Sequence, residues 1–165
     1  TEFLGSKVTY AIQEDFACGT GDALLCAKDL IKGKFLFMYA DDIHGKEALA
    51  KVVKEESAML GMYSKTPELF GVLEQNEDGT LKQIVEKPEH PTSNLVNIGG
   101  FVLDDSIFSY AVGASDSGEV YVTDMVNAYA QEHPIKIIEQ DLWLPICYPE
   151  NIIEAEAILC PTQID

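Results

Sequence analysis

Two adjacent acidic residues follow an apolar run. Lys34–Ala40 reads KFLFMYA, and the chain then turns to Asp41 and Asp42. In an open parallel sheet, ligands bind just outside the carboxyl ends of the strands. A carboxylate at such an end can hold Mg²⁺, which prefers oxygen ligands and phosphate partners. The alternative is an acidic turn stabilised by hydration alone, with Asp42 as the second candidate if Asp41 is not the ligand.

Two further segments have residue types suited to an anionic ligand. Gly19-Thr20-Gly21 precedes a predicted helix, and amides at a helix N-terminus favour contact with anions. Glu86-Lys87-Pro88 closes a predicted strand, and Lys87 can meet a phosphate. Each segment has a plainer interpretation. The first can be an ordinary capped loop, and the second can present a solvated lysine.

The elements that position these residues alternate in type in the first part of the chain. Strands are predicted over Lys7–Gln13, Lys34–Ala40 and Ser57–Tyr63, and helices over Thr20–Ile31 and Lys46–Glu56. This βαβαβ order predicts an α/β fold with a Rossmann-like, mixed but mainly parallel sheet flanked by helices. The unbroken apolar run at Lys34–Ala40 predicts a strand buried on both faces.

The pattern then changes to a hairpin. Phe70–Gln75 and Leu81–Glu86 are predicted strands around Asn76-Glu77-Asp78-Gly79, because Asp-Gly favours left-handed turn positions. Leu95–Leu103 is the next strand, and its Gly99-Gly100 pair predicts a bulge or the close approach of a ligand. The remaining predictions are a helix at Thr123–Gln131 capped by Thr123, strands at Ile135–Glu139 and Leu142–Ile146, and a helix at Pro149–Leu159. We interpret residues 1–165 as a single domain.

Composition excludes some classes of function. The chain has 165 residues and a net charge of −17, and its 11 bases are all lysines. A nucleic-acid partner is not expected, because such partners need a basic surface. No apolar run approaches the roughly 20 residues that span a bilayer, so we expect no membrane partner and a cytoplasmic location. Cys18, Cys26, Cys147 and Cys160 are predicted to be buried free thiols; a disulfide framework or a zinc site is the alternative.

Taken in order, the short motifs resemble the sugar-phosphate nucleotidyltransferase family, which includes the glucose-1-phosphate uridylyltransferases and thymidylyltransferases. The motifs are Gln13…Gly19-Thr20-Gly21-Asp22-Ala23, Tyr39-Ala40-Asp41, Phe70-Gly71-Val72, Glu86-Lys87-Pro88, Ser93-Asn94-Leu95-Val96-Asn97-Ile98-Gly99, Tyr121-Val122-Thr123-Asp124 and Pro149-Glu150-Asn151. The resemblance covers nearly the whole chain. It implies the nucleotide-diphospho-sugar transferase fold and an enzyme that joins a nucleoside triphosphate to a sugar 1-phosphate with Mg²⁺.

The resemblance also implies a role for each matching residue. Gln13 reads the pyrimidine edge, Gly19 and Thr20 support the base, and Asp41 contacts Mg²⁺. Lys87 binds the sugar phosphate, while Gly71, Glu86 and Asn97 bind the sugar, which makes residues 66–104 a sugar-binding region. A glutamine amide matches the carbonyl and N–H pattern of uracil and thymine, so UTP or dTTP is expected.

Two departures from the family pattern lead to further expectations. The glycine-rich loop that carries an arginine is absent, so we expect roughly two β-α units of about 30 residues each to be missing from the domain. The metal-binding aspartate of the family's W-x-D motif is replaced by Pro145, and Asp141 lies on the other side of Trp143. The chain alone is therefore expected to be inactive and to form homo-oligomers. Its alternative interpretation is a non-catalytic nucleotide-sugar-binding fragment.

Overall fold

The computed structural model describes residues 2–115 and 118–160. Its strands are β1 (Glu2–Phe3), β2 (Ser6–Lys7), β3 (Phe35–Met38), β4 (Asp42–His44), β5 (Ala58–Tyr63), β6 (Gly71–Gln75), β7 (Leu81–Glu86), β8 (Leu95–Leu103), β9 (Lys136–Glu139) and β10 (Trp143–Pro145). Its α-helices are α1 (Gly19–Cys26), α2 (Lys46–Val52), α3 (Val122–Ala130) and α4 (Pro149–Leu159). None of the helices in these two ranges is long and apolar enough to cross a membrane.

A six-stranded sheet organises the molecule around β8. The strand order is β7-β6-β8-β5-β9, and β3 also pairs with β8. One edge of β8 pairs with β5, while its other edge pairs with β6 at Val96 and with β3 from Gly100 to Leu103. A small second sheet joins β4 to β10. Because β8 touches three strands, it brings the ends of distant chain segments to one region.

The sheet separates two apolar clusters. Met59 and Leu73 belong to the larger cluster, which packs against α1 and α3, whereas Leu60 and Val72 belong to the cluster that includes α2. Neighbouring residues of a strand point to opposite faces, which explains why consecutive positions enter different clusters. Each fully buried aliphatic side chain contributes about 1.5–3 kcal/mol to folding. Because helices pack on both faces of the sheet, the predicted helix-flanked α/β class is confirmed.

The pairing directions differ from the prediction of a mainly parallel sheet. The β5–β9 pair is parallel, but the pairs of β8 with β3, β5 and β6, and the β6–β7 hairpin, are antiparallel. The strand β3 lies beside β8 alone among the described strands, and Leu36 is 38% exposed. The prediction of burial on both faces is thus wrong. An apolar run reports hydrophobicity but carries no information on which strands lie beside it.

Two other local predictions are also wrong. Of the predicted strand Lys7–Gln13, only Lys7 lies in a strand, the short β2, and Tyr10 and Ile12 are 73% and 81% exposed. No described strand of the main sheet lies beside this segment, so its alternating pattern has no sheet face to pack on. The four cysteines are free as predicted, but three are exposed rather than buried. Cys26 ends α1, Cys160 follows α4, and Cys147 lies in the loop after β10.

Candidate functional site

One open cavity of about 390 Å³ lies where β3, β6, β7 and β8 meet the small β4–β10 sheet. Small-molecule sites usually enclose about 300–1,000 Å³, so this cavity is large enough for a sugar or nucleotide group. Its lining residues are Thr20, Tyr39, Asp41, Asp42, Leu69, Phe70, Gly71, Glu86, Asn97, Ile98, Gly99, Tyr121, Thr123, Trp143, Pro145 and Cys147. The sequence predictions at Thr20, Asp41, Gly71, Glu86 and Asn97 therefore come together, whereas Gln13, Gly19 and Lys87 lie outside this lining.

The two aspartates after β3 differ in their surroundings. Asp41 is exposed, and its backbone carbonyl accepts a hydrogen bond of 2.7 Å from the Ile146 amide. Asp42 opens β4 and faces Pro145 across the β4–β10 pair. Burial raises the pKa of the Asp42 carboxyl to about 6; the Trp143 indole opposes this rise, and the charge of Asp41 adds to it. The bond from the Ile146 amide and the pairing with Pro145 hold the backbone around both carboxylates against β10 and the residue that follows it.

A close approach between Tyr39 and Gly99 forms one wall of the cavity. Gly99 has a φ of +79°, and a Cβ built there would overlap the Tyr39 ring, with 2.6 Å to its Cε2 atom. The same Cβ would lie 3.1 Å from Asp42 Oδ2. Burial raises the pKa of the Tyr39 hydroxyl to about 12, above an ordinary value that already leaves it neutral at physiological pH. The glycine pair predicted from the sequence is therefore a close-packing position beside the acidic residues.

Thr20 connects the first helix to a distant part of the chain. Its hydroxyl accepts a 3.2 Å hydrogen bond from the amide of Val122, at the start of α3. The Gly21 amide donates to the Val120 carbonyl at 2.7 Å, and a Cβ at Gly21 would lie 2.8 Å from Val120 Cγ1. The prediction that Thr123 caps the helix α3 is wrong, because α3 begins at Val122 and its first amide donates to the Thr20 hydroxyl.

The predicted sugar-binding residues lie on the three strands β6, β7 and β8. Gly71 and Glu86 are cross-strand partners, and a Cβ at Gly71 would lie 3.0 Å from Glu86 Oε2. The missing side chain at Gly71 lets the Glu86 carboxylate lie along the cavity wall. Asn97 Oδ1 accepts a 3.0 Å hydrogen bond from the Gly99 amide, which orients the Asn97 amide and leaves its N–H₂ group as a donor.

Lys87 has an unusual backbone conformation. Its φ is +41°, a left-handed value that residues other than glycine rarely adopt. The Lys87 amide donates a 3.0 Å hydrogen bond to the Phe70 carbonyl, which holds this conformation at the end of β7. Strained residues of this kind concentrate at binding sites. The side chain is exposed and lies outside the cavity lining, so its contact with a phosphate stays a prediction.

The predicted nucleotide-binding residues Gln13 and Gly19 contact each other. Gln13 Nε2 donates to the Gly19 carbonyl at 3.0 Å and to Asp22 Oδ2 at 2.9 Å. These bonds use the amide N–H₂ group and leave Oε1 as an acceptor for the N–H of a base. Gly19 has a φ of +89°, and a Cβ there would lie 2.6 Å from the Val120 carbonyl oxygen. Contact with a nucleotide base is untested for both residues.

Several lining residues were not predicted from the sequence. Trp143 packs edge-on against Phe70 with ring centroids 5.5 Å apart. Its Nε1 atom is buried, and the indole approaches the Asp42 carboxylate without a hydrogen bond of standard geometry. Tyr39 occurs in the Tyr39-Ala40-Asp41 motif, so its position next to a candidate ligand was a usable signal. Trp143 matches the tryptophan of the W-x-D motif, which was a usable signal as well, and it reaches the cavity through the β4–β10 pairing.

The donor set fits a divalent ion that binds together with substrate. No group of three or more histidine, cysteine, aspartate or glutamate side chains converges within residues 2–115 and 118–160. Mg²⁺ is commonly bound through one or two carboxylates while water and phosphate oxygens complete its shell. Asp41 and Asp42 supply carboxylate oxygens of this kind at the cavity.

An α/β fold with an open cavity of this size, lined by apolar groups and a few convergent carboxylates, is typical of a small-molecule-binding protein. The family model for nucleotidyl transferases matches residues 2–160 of the chain. The chain belongs to the nucleotidyl transferase family. The resemblance carried by the short motifs is thereby confirmed.

Individual relatives agree with this assignment. A bifunctional sugar-1-phosphate nucleotidylyltransferase/acetyltransferase of Sulfurisphaera tokodaii is 35% identical over 90% of this chain and 38% of its own length. The bifunctional protein GlmU of Methanococcus maripaludis is 32% identical over 90% of this chain and 37% of its own length. A Bacillus anthracis crystal structure assigned as a glucose-1-phosphate thymidylyltransferase, in complex with sucrose, has a TM-score of 0.75 at 26% identity. The match covers 93% of this chain and 65% of the Bacillus anthracis chain. The chain thus spans little more than a third of the length of these two curated relatives.

Proposed function

We propose that this chain forms the sugar-1-phosphate side of a nucleotidyltransferase site that uses UTP or dTTP. The observation that carries this proposal is the convergence of Asp41, Glu86, Asn97 and Thr20 on one cavity from separate elements. In the reaction, a sugar-phosphate oxygen attacks the α-phosphorus of the triphosphate. The new P–O bond forms as the α–β bridge breaks, and pyrophosphate leaves.

Each residue has a physical task in this proposal. The Glu86 carboxylate accepts hydrogen bonds from sugar hydroxyls, and the Asn97 amide donates to a sugar oxygen. Lys87 binds the sugar phosphate at the end of β7, while Gln13, Gly19 and Thr20 contact the base side. Asp41 holds Mg²⁺, which when bound neutralises phosphate charge. Such chemistry depends on positioning and charge neutralisation and needs no covalent intermediate.

A binding protein without turnover is the second candidate. It is supported by the charges of the cavity, since the described lining contains the acids Asp41, Asp42 and Glu86 and no lysine. A triphosphate brought to this lining meets like charge. Under this alternative, the 165-residue chain binds a UDP- or dTDP-sugar weakly, forms homo-oligomers and releases no pyrophosphate.

A substrate screen on the full-length protein tests the proposal. Nucleoside triphosphates and sugar 1-phosphates are combined pairwise with Mg²⁺, and pyrophosphate is measured in a coupled assay. We expect turnover with UTP or dTTP and its loss in Asp41→Asn, which keeps the shape of the side chain and removes its charge. The matched control is Asp105→Asn, an exposed aspartate outside the cavity lining, which should retain activity. Nucleotide-sugar binding without turnover in any combination would support the binding protein instead.

A further inference from the structure

We propose that Asp42 is a second carboxylate for the divalent ion, beside Asp41, and that it acts in place of a ligand from β10. This inference rests on the proposed function, because it concerns the ion that brings phosphate groups into the cavity. Its starting point is the charge of the cavity. The described lining holds three carboxylates and no basic side chain, so a cation bound there would offset their repulsion of a phosphate.

The β4–β10 pair limits where carboxylates can come from. Trp143, Leu144 and Pro145 form β10, and none of them carries an oxygen ligand on its side chain. The nearest acid before this strand, Asp141, is exposed and is not part of the described lining. The residue directly opposite Pro145 is Asp42. A carboxylate is therefore present on the β4 side of this pair and missing on the β10 side.

The local geometry directs Asp42 to the cavity. Its Oδ2 atom lies 3.1 Å from the position that a Cβ would take at Gly99, so the carboxylate lies over a glycine backbone on the cavity wall. The backbone of Asp41 is held by the hydrogen bond from the Ile146 amide to its carbonyl. Its carboxylate has no hydrogen-bond or ion-pair partner among the described residues. Both side chains line the same cavity. Mg²⁺ bound with a phosphate needs only one or two protein carboxylates, which is what this pair supplies.

Metal affinity can be measured without relying on turnover. Mn²⁺ serves as the probe, and its binding to the full-length protein with UDP-glucose or dTDP-glucose is followed by electron paramagnetic resonance. We expect Asp41→Asn and Asp42→Asn each to weaken Mn²⁺ binding by about tenfold or more, the effect of losing one charge-assisted contact. Asp105→Asn removes an exposed carboxylate outside the cavity lining and is the matched control. Its Mn²⁺ affinity should change by less than roughly threefold.

A rescue variant tests the assignment to the opposing strands. In the Asp42→Asn background, Pro145→Asp places a carboxylate at the facing position and should restore Mn²⁺ affinity to within roughly threefold of the unchanged protein. Circular dichroism checks that each variant is folded. The inference is overturned if Asp42→Asn retains full Mn²⁺ affinity, if Asp105→Asn loses as much, or if Pro145→Asp restores nothing. Loss in Asp41→Asn alone leaves the proposed function intact and removes only this inference. Absence of Mn²⁺ binding in the unchanged protein with either nucleotide sugar contradicts both.

Discussion

Replacing Gly99 by alanine tests whether the Tyr39 wall of the cavity is built on a glycine contact. The new Cβ would overlap the Tyr39 ring and lie 3.1 Å from Asp42 Oδ2. Alanine at a φ of +79° costs about 1–2 kcal/mol in backbone energy. Overpacking against a rigid ring adds about 1–3 kcal/mol. We therefore expect Gly99→Ala to lower the free energy of unfolding by about 2–5 kcal/mol.

The hairpin glycine Gly79 offers a matched control. Its φ is +80°, almost the same as that of Gly99, but nothing lies within 4 Å of a Cβ built there. Gly79→Ala should therefore cost only the backbone energy of about 1–2 kcal/mol. Urea unfolding followed by circular dichroism measures both variants. If the two lose equal stability within about 0.5 kcal/mol, the Tyr39 contact contributes nothing and our account of this wall is wrong.

Three further substitutions test other parts of the account. Lys87→Ala should weaken sugar 1-phosphate binding by roughly tenfold or more in calorimetry, while Lys82→Ala, in the preceding strand β7, should have little effect. A loss under roughly twofold would make Lys87 a solvated residue. Asn127 donates to the Ile84 carbonyl and accepts from its amide, so Asn127→Ala should cost about 1–3 kcal/mol in urea unfolding, and an unchanged midpoint would contradict this. Hydrogen bonds, chiefly from the Ser106 hydroxyl, hold the pKa of Asp104 below its usual value. The stability that Asp104 contributes is therefore present above its unfolded pKa and lost as pH falls through its folded pKa. Asp104→Asn should lower the melting temperature at about pH 7 and much less at about pH 3. Equal losses at the two pH values would refute this assignment.

Local signals in the sequence determined much of the secondary structure and several cavity residues. The hairpin of β6 and β7 was predictable because Asp78-Gly79 sits between two apolar runs, and Gly79 indeed has a left-handed φ. The strand β8 was predicted with its observed bounds from a long apolar run. Asp41 follows β3 as predicted, and it lines the cavity. Such features depend on residues a few positions apart, which a single sequence reveals directly.

Only the tertiary structure decided how these segments meet. Thr20 binds the first amide of α3 from 102 positions away, and Asp42 faces Pro145 across two short strands. Neither contact has a local pattern, because the energy that selects it comes from burial of surfaces far apart in the chain. The antiparallel setting of β3 beside β8 has the same origin. The sequence therefore determined which residues are candidates for binding a phosphate-bearing ligand, whereas packing around β8 decided which of them share one cavity.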